Sequence, residues 1–275
     1  MIDIIITVIS IALSYYYTAF MHVFANPAPY KYIVVFIVSF LICWAALFIL
    51  FGIICVIISL PVNINKEYAG TSRFYTTLFG LMLEFAGFVS GARVIVNGRD
   101  KIPRKDRFLF VSNHRSNYDP IIQCGEMKLQ PMAFISKRAN FRIPFIRRYM
   151  VRCRYIPLER KNMRNGAEAG AARMISSGQS CIGVYPEGTR NAGGNLLDFH
   201  NGCFKIALWA KCPIVVSVIR GTENICKNFP LRRTKVVMDI IDVIPYNKIE
   251  HMKTGEISEL VRNMMEEHLK SGGKK

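Results

Sequence analysis

Two short stretches of this sequence hold side chains suited to chemistry at strand ends. The first is Ser112-Asn113-His114-Arg115-Ser116-Asn117-Tyr118-Asp119-Pro120, directly after the apolar run Phe108–Val111. His114 and Asp119 stand five residues apart across a turn that can bring a carboxylate to one imidazole nitrogen. The carboxylate would fix the tautomer and leave the other nitrogen as a base, able to take a proton from an attacking alcohol. Such a base contributes about 10²–10⁴-fold to a rate. The same residues also suit a plain helix start, with Asp119 as N-cap and Pro120 in the first turn. There is no Gly-x-Ser-x-Gly elbow to supply a serine nucleophile.

The second stretch is Pro186-Glu187-Gly188-Thr189-Arg190, after the apolar run Cys181–Tyr185. Pro and Gly here suit an ordinary turn. A guanidinium at the tip of such a turn also suits a phosphomonoester, which Arg grips with two parallel hydrogen bonds. A third feature is charge. Residues 137–164 carry ten Lys and Arg, from Lys137 to Arg164, with Glu159 as the single acid. Most of these belong to solvated surface, yet together they make a field for an acidic donor or an anionic headgroup. Phe141, Ile143, Phe145, Ile146 and Met150 lie among them, a mixture suited to a helix lying in a lipid headgroup layer.

The elements that must position these groups follow from hydrophobic periodicity. Short apolar strands alternate with amphipathic helices from residue 66 onward, predicting an α/β fold: a mixed, largely buried sheet flanked by helices. Strands are expected at 93–96, 108–111, 133–136, 155–158, 181–185, 214–219 and 236–244. Helices are expected at 66–89, 120–129, 163–178, 201–211 and 253–270. Residues 1–65 differ in kind. Of 36 Lys/Arg and 19 Asp/Glu, only Lys31 and Asp3 fall there, so the net charge of +17 belongs entirely to the remainder. Two uncharged runs, 4–21 and 33–60, flank the breaker Asn26-Pro27-Ala28-Pro29. A helix needs about 20 apolar residues to span a bilayer. The expectation is an N-terminal membrane-inserted helical hairpin over 1–65 and a catalytic domain over 66–275. A hairpin dipping into one leaflet fits the same pattern. A cleaved signal peptide fits poorly, because the N-terminus offers Asp3 and no cation. The cations that follow Leu60 put the catalytic domain on the cytoplasmic face.

Membrane lipid is favoured over nucleic acid as the polyanion, since zinc-finger spacing, RNA-binding aromatic signatures and basic heptads are all missing. Eight cysteines without a C-x-x-C pair and five scattered histidines suggest reduced thiols and no metal site.

Asn113-His114, then Asp119, then Glu187-Gly188-Thr189-Arg190 resemble the motifs of the glycerolipid acyltransferase family, most of all its bacterial-type 1-acylglycerol-3-phosphate acyltransferases. Arg154–Arg160 and the run from Asn201 to Val215 are similar to two further blocks of that family, in the same order. The resemblance covers about residues 90–220. It implies His114 as general base and Asp119 as its partner. It also implies an acceptor site shaped by Glu187, Gly188, Thr189 and Arg190, with Arg190 and Arg160 near a phosphate and Lys137 assisting. It further implies a lysophospholipid acceptor, acyl-CoA or acyl carrier protein as co-substrate, anionic membrane lipid as surroundings, and neither metal nor other cofactor. Glycerol-3-phosphate or another lysolipid is the alternative acceptor. A non-catalytic basic membrane-binding protein is the alternative of another class. Glu159 and Pro157 before Arg160, and Ser217 after Val216, depart from the commoner pattern and bear on acceptor choice.

Overall fold

Chain direction along the sheet is what gathers the polar strand ends, and a computed structural model of the protein describes it over residues 2–25, 28–127, 130–158 and 164–272. The chain divides into two compact units, residues 1–63 and 64–275.

The first unit is a pair of helices, α1 (Ile2–Ala25) and α2 (Pro29–Ser59). Proline sits in the first turn of α2, where its missing N–H costs nothing. Ile2–His22 and Tyr30–Ser59 are long and apolar enough to cross a membrane, with mean hydropathies of 1.8 and 3.1. Their aliphatic side chains are largely exposed, from Ile4 to Leu60. Surfaces of that kind are stable in hydrocarbon, not in water. Ser10 and Thr18 return their hydroxyls to the Ile6 and Ser14 carbonyls, both at 2.7 Å, so these two polar residues of α1 are satisfied within the helix.

The second unit begins with α3 (Arg73–Val89), shorter than the 66–89 expected. The residues before it are bound instead to the end of α5 and to the turns leading into β4 and β5. Arg152 and Arg154 donate to the carbonyls of Gly70 and Tyr68, and Thr71 donates its hydroxyl to Gln179 O at 2.8 Å. These carbonyls are therefore not free to start a helix. In chain order there follow β1 (Ala92–Asn97), β2 (Leu109–Ser112), α4 (Asp119–Glu126), β3 (Met132–Lys137), α5 (Pro144–Arg152) and β4 (Ile156–Leu158). After them come α6 (Arg164–Ser176), β5 (Cys181–Val184), α7 (Lys205–Ala210), β6 (Ile214–Arg220), α8 (Ile225–Asn228), β7 (Thr234–Ile244), α9 (Tyr246–Ile249) and α10 (Thr254–Lys270). The expected helix 201–211 is a 3₁₀ turn followed by α7.

The seven strands form one sheet in the order β1-β7-β6-β2-β5-β3-β4. All neighbours are parallel except β6 and β7, so the sheet is mixed. The central strands β2, β5 and β6 are almost wholly buried, as continuous apolar runs must be when helices cover both faces. Side chains alternate across them. Leu109, Val111, Ile182 and Val216 meet α6, α7 and α10 on one face. Phe108, Phe110, Phe134 and Val215 meet Cys124 and Met127, at the end of α4, and Leu83 of α3 on the other. A Cβ on Gly125 would lie 2.8 Å from the backbone of Glu84, which is how close α4 approaches α3. Because β2, β5 and β3 are parallel, the loops that follow them open on one edge. That edge carries the polar sequences.

Candidate active site

Asp119 is completely buried, yet it does not cap its helix: no side-chain capping bond forms at the start of α4. Its carboxylate turns back toward the loop. Oδ2 accepts from His114 Nδ1 at 2.8 Å, from the backbone N–H of Arg115 at 2.6 Å and from that of Ser116 at 2.8 Å. Oδ1 accepts from the hydroxyl of Thr222 at 2.5 Å. Burying a carboxylate is costly unless its lone pairs are filled, and here four donors fill them. An acceptor-only carboxylate on Nδ1 places the ring proton there and leaves Nε2 unprotonated.

His114 is fixed by more than Asp119. Its ring stacks on Tyr185, centroids 4.1 Å apart and planes within 12°. Tyr185 donates its hydroxyl to Gln123 Oε1 at 2.7 Å, and Gln123 Nε2 donates to Ser112 Oγ at 2.8 Å. Burial, and then the nearness of Asp119, push the Tyr185 phenol well above its ordinary range, so it remains a donor. One residue earlier, Asn113 extends the ladder from β2 to β6: its amide donates to Ile219 O at 3.0 Å and accepts from Ile219 N at 2.8 Å.

The loop after β5 holds the same histidine by its backbone. The N–H of His114 donates to Glu187 Oε1 at 2.8 Å, and the Asn191 N–H donates to the His114 carbonyl at 2.7 Å. The other Glu187 oxygen accepts the Leu197 N–H at 3.0 Å. Burial pushes the Glu187 carboxyl up, against the pull of the backbone N–H groups of His114 and Leu197. With a backbone N–H on each oxygen, Glu187 ties three loop segments together. Gly188 adopts φ +64°, which a side chain would strain, and a Cβ there would lie 2.7 Å from the His200 ring. A third loop, after β6, closes the arrangement. Besides Thr222 it brings Glu223, whose Oε1 accepts from Arg115 Nη2 at 2.9 Å while Oε2 accepts the Gly221 N–H at 3.0 Å. Burial raises the Glu223 carboxyl, but the Arg115 bond outweighs it and holds Glu223 below the usual range. Arg115 also donates to Ala192 O at 3.2 Å, joining this loop to the one after Arg190.

Of the residues singled out from sequence, His114, Asp119 and Glu187 meet directly. Gly188, Thr189 and Arg190 line the exposed rim beside them. Lys137 is exposed at the end of β3. Phe134, Gly183 and Phe110 share a register, so Lys137 stands level with Asn113 two strands away, about 10 Å at the usual strand spacing. Arg160 lies outside the described residues. Thr222, Tyr185, Gln123 and Glu223 were not foreseen. Thr222 carried a usable signal, a polar turn after an apolar strand, the one that marks the other two loops. Among the described residues, no group of three or more His, Cys, Asp or Glu side chains is placed to hold a metal ion. None of the eight cysteines, all among the described residues, forms a disulfide. Burial pushes the thiols of Cys124 and Cys153 up to about 12, which disfavours the nucleophilic thiolate.

A family model described as Acyltransferase matches residues 93–220, the stretch from β1 to the end of β6. A 1-acyl-sn-glycerol-3-phosphate acyltransferase of Borreliella burgdorferi is 28% identical over 191 residues, covering 67% of this chain and 74% of that protein. The Haemophilus influenzae protein of the same name is 26% identical, covering 76% and 82%. The crystal structure of the 1-acyl-sn-glycerophosphate (LPA) acyltransferase from Thermotoga maritima superposes with a TM-score of 0.55. It is 24% identical and covers 71% of this chain and 78% of that one. At that identity the superposition supports the fold.

Proposed function

We propose that the chain transfers a fatty acyl group from a thioester to the sn-2 hydroxyl of lysophosphatidic acid, making phosphatidic acid for phospholipid synthesis; the match of residues 93–220 to the acyltransferase model and the 26–28% identity to 1-acyl-sn-glycerol-3-phosphate acyltransferases support this reading. The observation that carries this reading is the caged Asp119 holding a stacked His114 at the mouth of the sheet. His114 Nε2 takes the hydroxyl proton as the oxygen attacks the thioester carbonyl. The new C–O bond forms, the C–S bond breaks, and the proton passes from the imidazolium to the departing thiolate. Asp119 stabilises the imidazolium in between. The route needs no covalent enzyme intermediate and no metal. Arg190 grips the acceptor phosphate, with Lys137 and Arg160 as further cations at the rim. The donor is acyl-CoA or an acyl carrier protein. The apolar pair α1 and α2 anchors the chain, and its catalytic unit works on the cytoplasmic face, where its positive charge meets anionic lipid.

A panel of acceptors offered with one labelled thioester tests the assignment. Lysophosphatidic acid is expected to be used in preference to glycerol-3-phosphate and to monoacylglycerol. Arg190→Ala is expected to raise KM for lysophosphatidic acid by about 10- to 100-fold, the worth of a charge-assisted bond, and to leave the slow use of monoacylglycerol unchanged. Equal losses on both acceptors would remove the phosphate role.

A further inference from the structure

The edge of the sheet that bears His114 carries a second feature at its far end. Strand β7 runs antiparallel to β6, with Arg220 opposite Val237, so β7 and its neighbour β1 begin where β2 and β6 finish. The segment leading into β7 projects as a short prong. The N–H groups of Phe229 and Arg232 donate to the carbonyls of Ile225 and Asn228 at 3.0 and 2.8 Å, and Asn228 Nδ2 donates to Thr234 Oγ1 at 2.9 Å. The turn is thus held closed, and its tip is apolar. Leu231 is 92% exposed and Phe229 52%. Burying such side chains would stabilise an interface, a gain the fold itself leaves unused.

Cations surround this tip. Lys227, Arg232 and Arg233 flank it in sequence, and all three are exposed. Arg93 of β1 and Lys235 of β7 are register partners and are both exposed. Adjacent strands lie about 4.8 Å apart, so this like-charged pair opposes the pairing that brings it together. Neither residues 85–99 nor 224–238 contain an Asp or Glu. An apolar centre ringed by uncompensated positive charge suits an acidic partner with a small apolar depression. The prong's position narrows the choice. The chain enters the catalytic unit at the strand-start edge, where Tyr68 and Gly70 are held by Arg154 and Arg152, beside the end of α5 that leads to β4. The prong occupies the opposite corner, at the strand-end edge beside β1. It lies on the same strand-end edge as the loop that carries His114, so a partner held there faces the edge where acyl transfer takes place.

We propose that this prong docks an acidic carrier protein that delivers the acyl thioester to His114. Phe229 and Leu231 would enter an apolar recess of the carrier while the five cations meet its carboxylates. The inference rests on the acyl-transfer reading of the His114 site and extends it to the donor.

The test uses the full chain in detergent micelles with two donors, palmitoyl-acyl carrier protein and palmitoyl-CoA. Binding of the carrier protein is followed separately by titration calorimetry. In an R232E/R233E double variant, and in Leu231→Ser, KM for the carrier-borne donor is expected to rise about tenfold or more. The kcat, the KM for palmitoyl-CoA and the melting temperature are expected to stay unchanged. Carrier binding weakens by the same factor and also falls with added salt. A wild-type chain that fails to bind carrier protein overturns the proposal, as does an equal change, or none, with both donors. Loss of adsorption to phosphatidylglycerol vesicles with both donors unaffected would assign the prong to the membrane and overturn it too. Carrier binding that the variants abolish, in a chain that transfers no acyl group, would uphold the docking and refute the acyl-transfer reading.

Discussion

Two His–Asp pairs in this molecule look alike and differ in what they can do. His114 meets Asp119 at 2.8 Å and His268 meets Asp239 at 2.9 Å. Both imidazoles are 17% exposed and both carboxylates are buried. The surroundings separate them. Asp119 is filled by backbone N–H groups and a hydroxyl, all neutral, so its charge is undiluted for an imidazolium formed during reaction. Asp239 also accepts from Asn97 at 2.6 Å and forms an ion pair with the Arg220 guanidinium at 2.6 Å. Burial raises the Asp239 carboxyl, but the His268 and Asn97 bonds and the Arg220 charge outweigh it and hold it below the usual range. The nitrogen used differs as well. His114 gives Nδ1 to its aspartate and keeps Nε2, whereas His268 spends Nε2 on tying the last turn of α10 to β7. One pair sits at a strand-end loop and is poised. The other is a clasp between elements.

That contrast can be broken by substitution, most sharply at Asp119. Asp119→Asn keeps the shape but sets an amide NH₂ against donors. It is expected to lower kcat by about 10²–10⁴-fold with little change in KM, read as the initial rate of acyl transfer. Thr222→Val removes one of four donors to the same carboxylate. Here kcat should fall about tenfold, the worth of one charge-assisted bond, and Thr222→Ser should restore it. Unchanged turnover in Thr222→Val would mean that three donors suffice.

The clasp should respond in stability and not in rate. A carboxyl whose folded pKa lies below its unfolded value near 3.9 adds stability above that value, and the stability is lost as pH falls through the folded one. Melting of the wild-type chain should therefore soften below about pH 4, and Asp239→Asn should lose that component. The substitution should also cost about 1–3 kcal/mol near neutral pH. Acyl transfer by the folded variant should match wild type.

How much of this was legible in sequence depended on range. Periodicity located the strands and most helices, because burial on two faces demands the continuous runs of β2, β5 and β6. It also singled out His114 with Asp119, since five residues across one turn is a local matter. Strand direction is not encoded by periodicity, so nothing marked β7 as antiparallel to β6. The start of α3 was misjudged because long-range bonds from Arg152 and Arg154 hold the preceding backbone. Asp119, the expected partner of His114, suited a helix cap equally well by local spacing. Thr222, 103 residues away, reaches its carboxylate only after β6 has paired with β2. The resemblance implied a place for Glu187 at the acceptor site. Its bonds to His114 N and Leu197 N are contacts between loops that sequence spacing does not reveal.

The contrast between the two pairs is tested most directly by making His114→Ala and His268→Ala in the full chain and measuring acyl transfer and thermal melting of both side by side. His114→Ala should lose at least about 10²-fold in turnover at an unchanged melting temperature. His268→Ala should keep its turnover and melt a few degrees lower, about 2–4 °C for each kcal/mol lost. A folded His114→Ala protein that transfers acyl groups at the wild-type rate would contradict the account.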